Sequence, residues 1–268
     1  MQNRIMITGA GSGLGREIAL RWAREGWRLA LCDLNDEGLR ETLRLVREAG
    51  SDGFVQRCDV RDYSQLTAFA QTCERELDGI DVIVNNAGVA SGGFFDQLTL
   101  EDWDWQLSIN LMGVVKGCKA FLPLLRRSKG RIVNVASMAA LLQGPAMSNY
   151  NVAKAGVVAL SESLLVELKP QGLDVHVVCP SFFQTNLLDS FRGPTPAMKA
   201  QVAKLLDSSP ISAAQVADYI YAQVQAGQFL ILPHEAGRDA WALKQRDPQA
   251  LYDEMSDITR KMLAKAVR

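Results

Sequence analysis

The chain has 268 residues, 48% hydrophobic and 22% charged, with a formal net charge of −1. That length suits one large α/β domain better than two small ones. The interspersed charge lacks the basic patch that a nucleic-acid partner needs, and no apolar run approaches the roughly 20 residues of a membrane span.

The first residues, Met1-Gln2-Asn3-Arg4, enter a short apolar run that ends in glycines. A secretory signal would show a longer apolar core and a cleavage site, so a cytoplasmic protein is expected. Cys32, Cys58, Cys73, Cys118 and Cys179 form no CxxC pair and read as buried, reduced thiols. His176 and His234 lie far apart and join no cluster of cysteines or acids, so no metal is expected.

Short apolar runs alternate with longer amphipathic ones. Residues 4–8 read as a strand and 14–25 as a helix, with Leu14, Ile18, Trp22 and Ala23 at helical spacing. A strand over 28–34 and a helix over 36–49 follow, then a strand at 54–56 and a helix at 63–77. A strand at 81–84 leads into a long loop containing Ser91-Gly92-Gly93. Thr99 is placed to cap the helix that carries Trp103 and Trp105. Further helices are predicted over 110–127, 148–168 and 215–225, and strands over 131–135, 174–178 and 229–232. The stretch 181–212, with Pro194, Pro196 and Pro210, is the least regular. Such alternation implies βαβ units, hence a doubly wound parallel sheet of about seven strands with helices on both faces. Residues 1–233 form the expected domain, and 234–268 a helical extension.

Thr8-Gly9-Ala10-Gly11-Ser12-Gly13-Leu14-Gly15 follows the first strand and opens the first helix. Leu14 stands where the general G-x-G-x-x-G fingerprint has its third glycine, so the pattern that fits is T-G-x-x-x-G-x-G. Glycines permit a tight turn and close backbone approach, and the helix N-terminus attracts a pyrophosphate. Asp33 ends the second strand 18 residues after Gly15. An acid there accepts hydrogen bonds from a ribose and repels a 2'-phosphate, which favours NAD over NADP as cofactor. Leu34 and Ser12 offer no base to a phosphate, and the nearby Arg16 starts the helix, where it can face solvent.

Tyr150 and Lys154 lie one turn apart on one face of the helix over 148–168. An ammonium beside a phenol favours the phenolate, so the pair can form an acid–base unit near neutral pH.

Together these blocks resemble the short-chain dehydrogenase/reductase family over about residues 4–233. The resemblance implies that Asp59, in Cys58-Asp59-Val60, and Val60 border the adenine. It implies that Asn86, Ala87 and Gly88, of Asn85-Asn86-Ala87-Gly88, border the cofactor. Asn110 falls where the family has a structural and catalytic asparagine that holds a water. Ser137 precedes Tyr150 and Lys154 by 13 and 17 residues, the family's spacing. On that resemblance Asn110, Ser137, Tyr150 and Lys154 are the catalytic residues. The cofactor residues are Gly9, Gly11, Ser12, Gly13, Leu14, Gly15, Asp33, Asp59, Val60, Asn86, Ala87, Gly88, Tyr150, Lys154, Pro180, Phe183 and Thr185. The helices over 110–127 and 148–168 would join subunits in a homodimer or homotetramer.

One departure stands out. Where the family has Pro-Gly, this chain has Pro180-Ser181, which removes a glycine's freedom and predicts a different loop path. The loop residues Phe94, Met138, Met147, Phe182, Leu187 and Leu188 suggest an apolar or amphipathic alcohol or ketone, or packing against the core or a neighbouring subunit. In the tail, Leu251, Met255, Ile258, Met262 and Leu263 repeat at helical spacing. The tail can close over the substrate loop, pack on a partner subunit or touch a membrane, the last being disfavoured by its acids. Two further readings stay open: an NADPH-dependent 3-oxoacyl thioester reductase, and a non-catalytic nucleotide-sensing protein.

Overall fold

The computed structural model describes residues 3–184, 188, 190–207 and 209–266. Seven strands form one parallel sheet in the order β3-β2-β1-β4-β5-β6-β7. They are β1 (Arg4–Thr8), β2 (Arg28–Asp33), β3 (Gly53–Arg57), β4 (Val82–Asn85), β5 (Arg131–Val135), β6 (Asp174–Val178) and β7 (Leu230–Ile231). The central strands are continuous apolar runs because both faces of the sheet are covered. Side chains alternate between two cores. Met6, Ala30, Cys32, Ile83, Ile132 and Val177 enter one; Ile5, Ile7, Leu29, Leu31, Val84 and Val133 enter the other.

The first core is covered by α3 (Tyr63–Leu77), α5 (Met112–Ser128) and α7 (Ser148–Leu168). The second is covered by α1 (Gly13–Ala23), α2 (Asp36–Glu48) and α9 (Ala213–Gln225). Helix α4 (Leu100–Asn110) starts at Thr99, whose hydroxyl accepts from the amide of Asp102 at 3.1 Å. Chain order reverses between β1 and β4, so their C-terminal ends open a crevice, the usual ligand position in such sheets.

Two features differ from the expectations, the apolar helical stretch and the helices in and before the irregular region. Leu100–Ser128 is long and apolar enough to cross a membrane, with a mean hydropathy of 1.3. It is nevertheless broken at Leu111, and Val114, Phe121, Leu124 and Leu125 lie in the core. The irregular stretch contains a helix, α8 (Pro196–Asp207), and a short α6 (Ala139–Leu142) follows β5. The extension is two helices, α10 (Glu235–Arg246) and α11 (Pro248–Ala266). Both α8 and α11 begin with proline, which is tolerated at a first helical position because its missing N–H has no partner there anyway. A proline read as a breaker is here a start.

The extension packs on its own chain. Lys244 of α10 donates to the carbonyl of Leu141 at 2.6 Å, Gly237 lies against Met138, and Leu251 of α11 is buried. All five cysteines are buried, and none is disulfide-bonded.

Candidate active site

The glycine turn is tied to the strand beside it. Asn86 donates from Nδ2 to the carbonyls of Thr8 and Gly9 at 3.0 and 3.1 Å. The amides of Asn86 and Ala87 both donate to the Thr8 hydroxyl at 3.0 Å. Gly9 has φ +66°, and a Cβ there would stand 2.7 Å from Ala87 Cα, so only glycine fits. Ser12 precedes α1 in extended backbone and makes no side-chain cap, and the first turn of α1 contains no acid. The amides of Gly13, Leu14 and Gly15 therefore get no acceptor from a cap. That donor set suits a dinucleotide pyrophosphate.

Asp33 lies at the end of β2. Its carboxylate accepts from the amides of Gly11 and Asn35 at 2.9 and 3.0 Å. Arg16 departs from the expected solvent-facing position. It folds under the turn and donates to Thr42 Oγ1 at 3.0 Å and to the Gly11 carbonyl at 2.6 Å. Asp59, after β3, receives Arg61 Nη2 at 2.7 Å, and this pairing holds its carboxyl below the usual range. Val60 packs against Gly113.

Asn110 is fully buried at the end of α4. Its Oδ1 accepts from the Val89 amide and its Nδ2 donates to the Val89 carbonyl, both at 2.8 Å. Gly88 brings it close to Lys154. A Cβ on Gly88 would lie 3.0 Å from Asn110 Oδ1 and 3.6 Å from Lys154 Nζ.

Tyr150 and Lys154 stand in the first turns of α7. Lys154 is 4% exposed, and its ammonium donates to the Val135 carbonyl at 2.8 Å. Burial draws its pKa down to about 8. The Lys154 Nζ is 5.9 Å from the Tyr150 ring centroid. Burial raises the Tyr150 pKa, while a hydrogen bond with Ser137 lowers it. Desolvation outweighs that hydrogen bond, so the phenol's pKa is raised rather than depressed as the helical pairing predicted. Ser137, following β5, also accepts from the Ala139 amide at 3.1 Å.

A buried polar cluster fixes the start of α7. Ser91 Oγ lies 3.0 Å from Gln106 Oε1 and 2.9 Å from Asn149 Oδ1, and that Asn149 oxygen accepts from the Tyr150 amide at 2.8 Å. These residues come from a loop, α4 and α7, so no local pattern announces them. A second buried chain crosses from sheet to helix: Asn85 donates to Asn134 at 2.9 Å, and Asn134 to Ser161 at 3.0 Å.

After β6, Pro180 and Phe183 are buried, whereas Thr185 lies outside the described residues. Ser181 is not in the left-handed region, so its backbone does not demand glycine. Its amide donates to Nδ1 of buried His234 at 3.2 Å. His234, which follows β7, was missed because the partners are 53 residues apart.

Leu14, Asn86, Gly88, Ser137, Tyr150 and Lys154 meet in one chamber of about 450 Å³, which Pro180 and Phe183 also line. Gly9, Gly11, Asp33, Asp59 and Val60 lie outside it, along the ends of β1, β2 and β3.

Residues 3–194 match the sequence profile described as short chain dehydrogenase. The chain belongs to the short-chain dehydrogenase/reductase family. Members of this family are NAD(P)-dependent oxidoreductases acting on CH–OH groups. A short-chain dehydrogenase/reductase from Burkholderia phymatum in complex with NAD superposes with a TM-score of 0.87 at 31% identity, covering 93% of this chain and 95% of that one. A putative ketoacyl reductase of Streptomyces coelicolor is 38% identical over 70% of this chain and 73% of its own length. The 2-(R)-hydroxypropyl-CoM dehydrogenase of Xanthobacter autotrophicus is 34% identical over 82% of this chain and 90% of its own length. The chain spans 39% of the length of the first curated relatives it matches, mycobacterial probable oxidoreductases that are 34% identical.

The His234 bond makes the Ser181 loop acid-sensitive. Burial lowers the His234 pKa, so the folded chain binds fewer protons than the unfolded chain just below the ordinary imidazole value of about 6.5. Its stabilisation is complete above that value and is lost as pH falls toward the folded pKa. Denaturant unfolding at stepped pH should show a shallower acid loss in His234→Asn than in wild type. At neutral pH, His234→Phe should cost about 1–3 kcal/mol, because it orphans the Ser181 amide.

Proposed function

We propose that the chain is an NAD-dependent oxidoreductase that interconverts an uncharged secondary alcohol and its ketone. The observation that carries this reading is the convergence of Ser137, Tyr150 and Lys154 in one apolar chamber beside Asn86 and Gly88. The dinucleotide supplies the hydride-transfer chemistry when bound. Its pyrophosphate would rest on the first-turn amides of α1, its adenosine ribose on Asp33, and its nicotinamide half near Asn86, Gly88, Pro180 and Phe183.

Tyr150 Oη gives a proton to the carbonyl oxygen in reduction and takes it back from the alcohol in oxidation. The Ser137 hydroxyl donates a hydrogen bond to the same oxygen, an interaction that strengthens as charge develops there. Lys154, held at the Val135 carbonyl, keeps a positive charge near the phenol at pH 7 because its pKa of about 8 lies above that pH. Its charge favours the phenolate against the desolvation that opposes it. The Asn110 side chain is saturated by Val89. A relay water would therefore use its backbone carbonyl, at the break between α4 and α5. The reduced, buried thiols suit a cytoplasmic setting.

The Streptomyces relative favours a second reading, reduction of a 3-oxoacyl thioester. Asp33 opposes the NADPH such a reaction usually draws on, since its carboxylate is fixed by Gly11 and Asn35 and Arg16 is committed under the turn. The non-catalytic reading is disfavoured by the presence of all four polar groups.

Three measurements test this proposal. Initial rates at the reduced-nicotinamide absorbance band should fall about 10²–10⁴-fold in Tyr150→Phe, the usual range for a general acid–base group; equal rates would refute the role. Asp33→Ser should move the kcat/KM ratio toward NADP by at least about tenfold, and an unchanged ratio would remove Asp33 from cofactor choice. We place a second copy of the chain on the outer faces of α5 and α7, where Met112, Val152 and Val166 are exposed. Light scattering should give a dimer or tetramer that Val166→Glu weakens, and a monomeric wild type would dismiss the interface.

A further inference from the structure

Part of the chamber is built by residues beyond the match to the family profile, which ends at residue 194. Met198, Val202 and Leu205 of α8 form one side, and Met255, Ile258 and Met262 of α11 form another. On α11 these three residues follow Leu251 at intervals of four, three and four, which puts them on one helix face. Leu263, the remaining apolar residue of the tail pattern, points away and is 47% exposed. Leu251 is 1% exposed and anchors the same face.

The helix is fixed over the site. Its neighbour α10 is tied by Lys244 to Leu141, and Asp247 Oδ1 accepts from the Ala250 amide at 3.1 Å at the start of α11. The near wall is also closed. The Arg192 amide donates to the Ala90 carbonyl at 3.1 Å and the Gly92 amide to the Arg192 carbonyl at 3.0 Å, so the loops before α8 and after β4 zip together.

The lining divides by chemistry. Ser137, Tyr150 and Lys154 bring polar groups to it, and α8 and α11 contribute only apolar side chains. Among the described residues, Lys154 is the one charged side chain in the lining, and it is already engaged by Val135. A ligand with an anionic head would find no second cation in this lining. Five methionines line the space: Met138, Met147, Met198, Met255 and Met262. Unbranched thioethers repack around flexible ligands better than branched side chains do.

We infer that α11 is the distal wall of the substrate chamber, that Met255 and Met262 set the length of chain it accepts, and that the substrate is an uncharged ketone or secondary alcohol on an extended aliphatic chain. This deepens the proposed function and rests on it, since the polar end must be the reacting end.

The test is a series of straight-chain methyl ketones from butanone to tridecanone, with NADH. In wild type, kcat/KM should rise about fourfold per added methylene until the chamber is full, the fold-change of burying one methylene. In Met262→Trp and Met255→Trp the rise should stop at shorter ketones, mainly through KM. NADH titration by fluorescence serves as the control for folding. Identical length profiles in wild type and both variants would overturn the wall assignment. Calorimetric binding of the matching secondary alcohols to the NADH-bound protein separates the two readings. Length-dependent binding that the tryptophans shorten, without turnover of any ketone, supports the wall and sinks the catalytic reading. Binding and rates that ignore chain length sink the wall alone.

Discussion

The ammonium of Lys154 is buried at the C-terminal edge of the sheet, and much of the surrounding structure serves to hold it there. Depressing its pKa to about 8 represents a cost on the order of 3 kcal/mol against a solvated lysine. A domain whose net stability is of order 10 kcal/mol feels such a burden. The Val135 carbonyl at 2.8 Å offsets part of it. That carbonyl sits at the end of β5, where parallel pairing with β6 runs through Val135 and Val178. The Asn134–Ser161 hydrogen bond then locks strand to helix one layer beneath. Lysine position is thus a property of the sheet as much as of its own helix.

The same desolvation acts on Tyr150 and explains why spacing alone misjudged the pair. A helical i, i+4 arrangement brings two side chains together but says nothing about the dielectric around them. In this site burial pushes both groups toward their neutral forms. The hydrogen bond with Ser137 pulls Tyr150 the other way, and burial wins.

The parallel sheet and the placing of the glycine turn were legible because they rest on local signals: apolar runs, glycine spacing and caps such as Thr99. The residues that hold the site in register were less so. Ser91, Gln106 and Asn149 act through hydrogen bonds between a loop, α4 and α7. His234 acts on Ser181 although α8, α9 and β7 separate them in the chain. A polar residue in a sequence does not show whether it will be buried against another. Helix α8 was obscured for a different reason: its leading proline carries the same letter whether it starts a helix or breaks one.

Two stretches of the chain divide the work of the chamber. On the proposed assignment the reacting end comes from loops at the tips of β1, β4, β5 and β6 and from α7, all within the residues 3–194 that match the family profile. Helices α8 and α11, beyond the residues 3–194 that match the family profile, supply apolar lining. The reacting end is rigid because parallel strands and buried amide pairs hold it. Helix α8 lines the chamber with Met198, Val202 and Leu205, and α11 with Met255, Ile258 and Met262. Changes in α8 or α11 alter volume and shape without passing through the polar network that positions Tyr150. A fold arranged this way can keep one proton-transfer apparatus and vary the length and bulk of what reaches it.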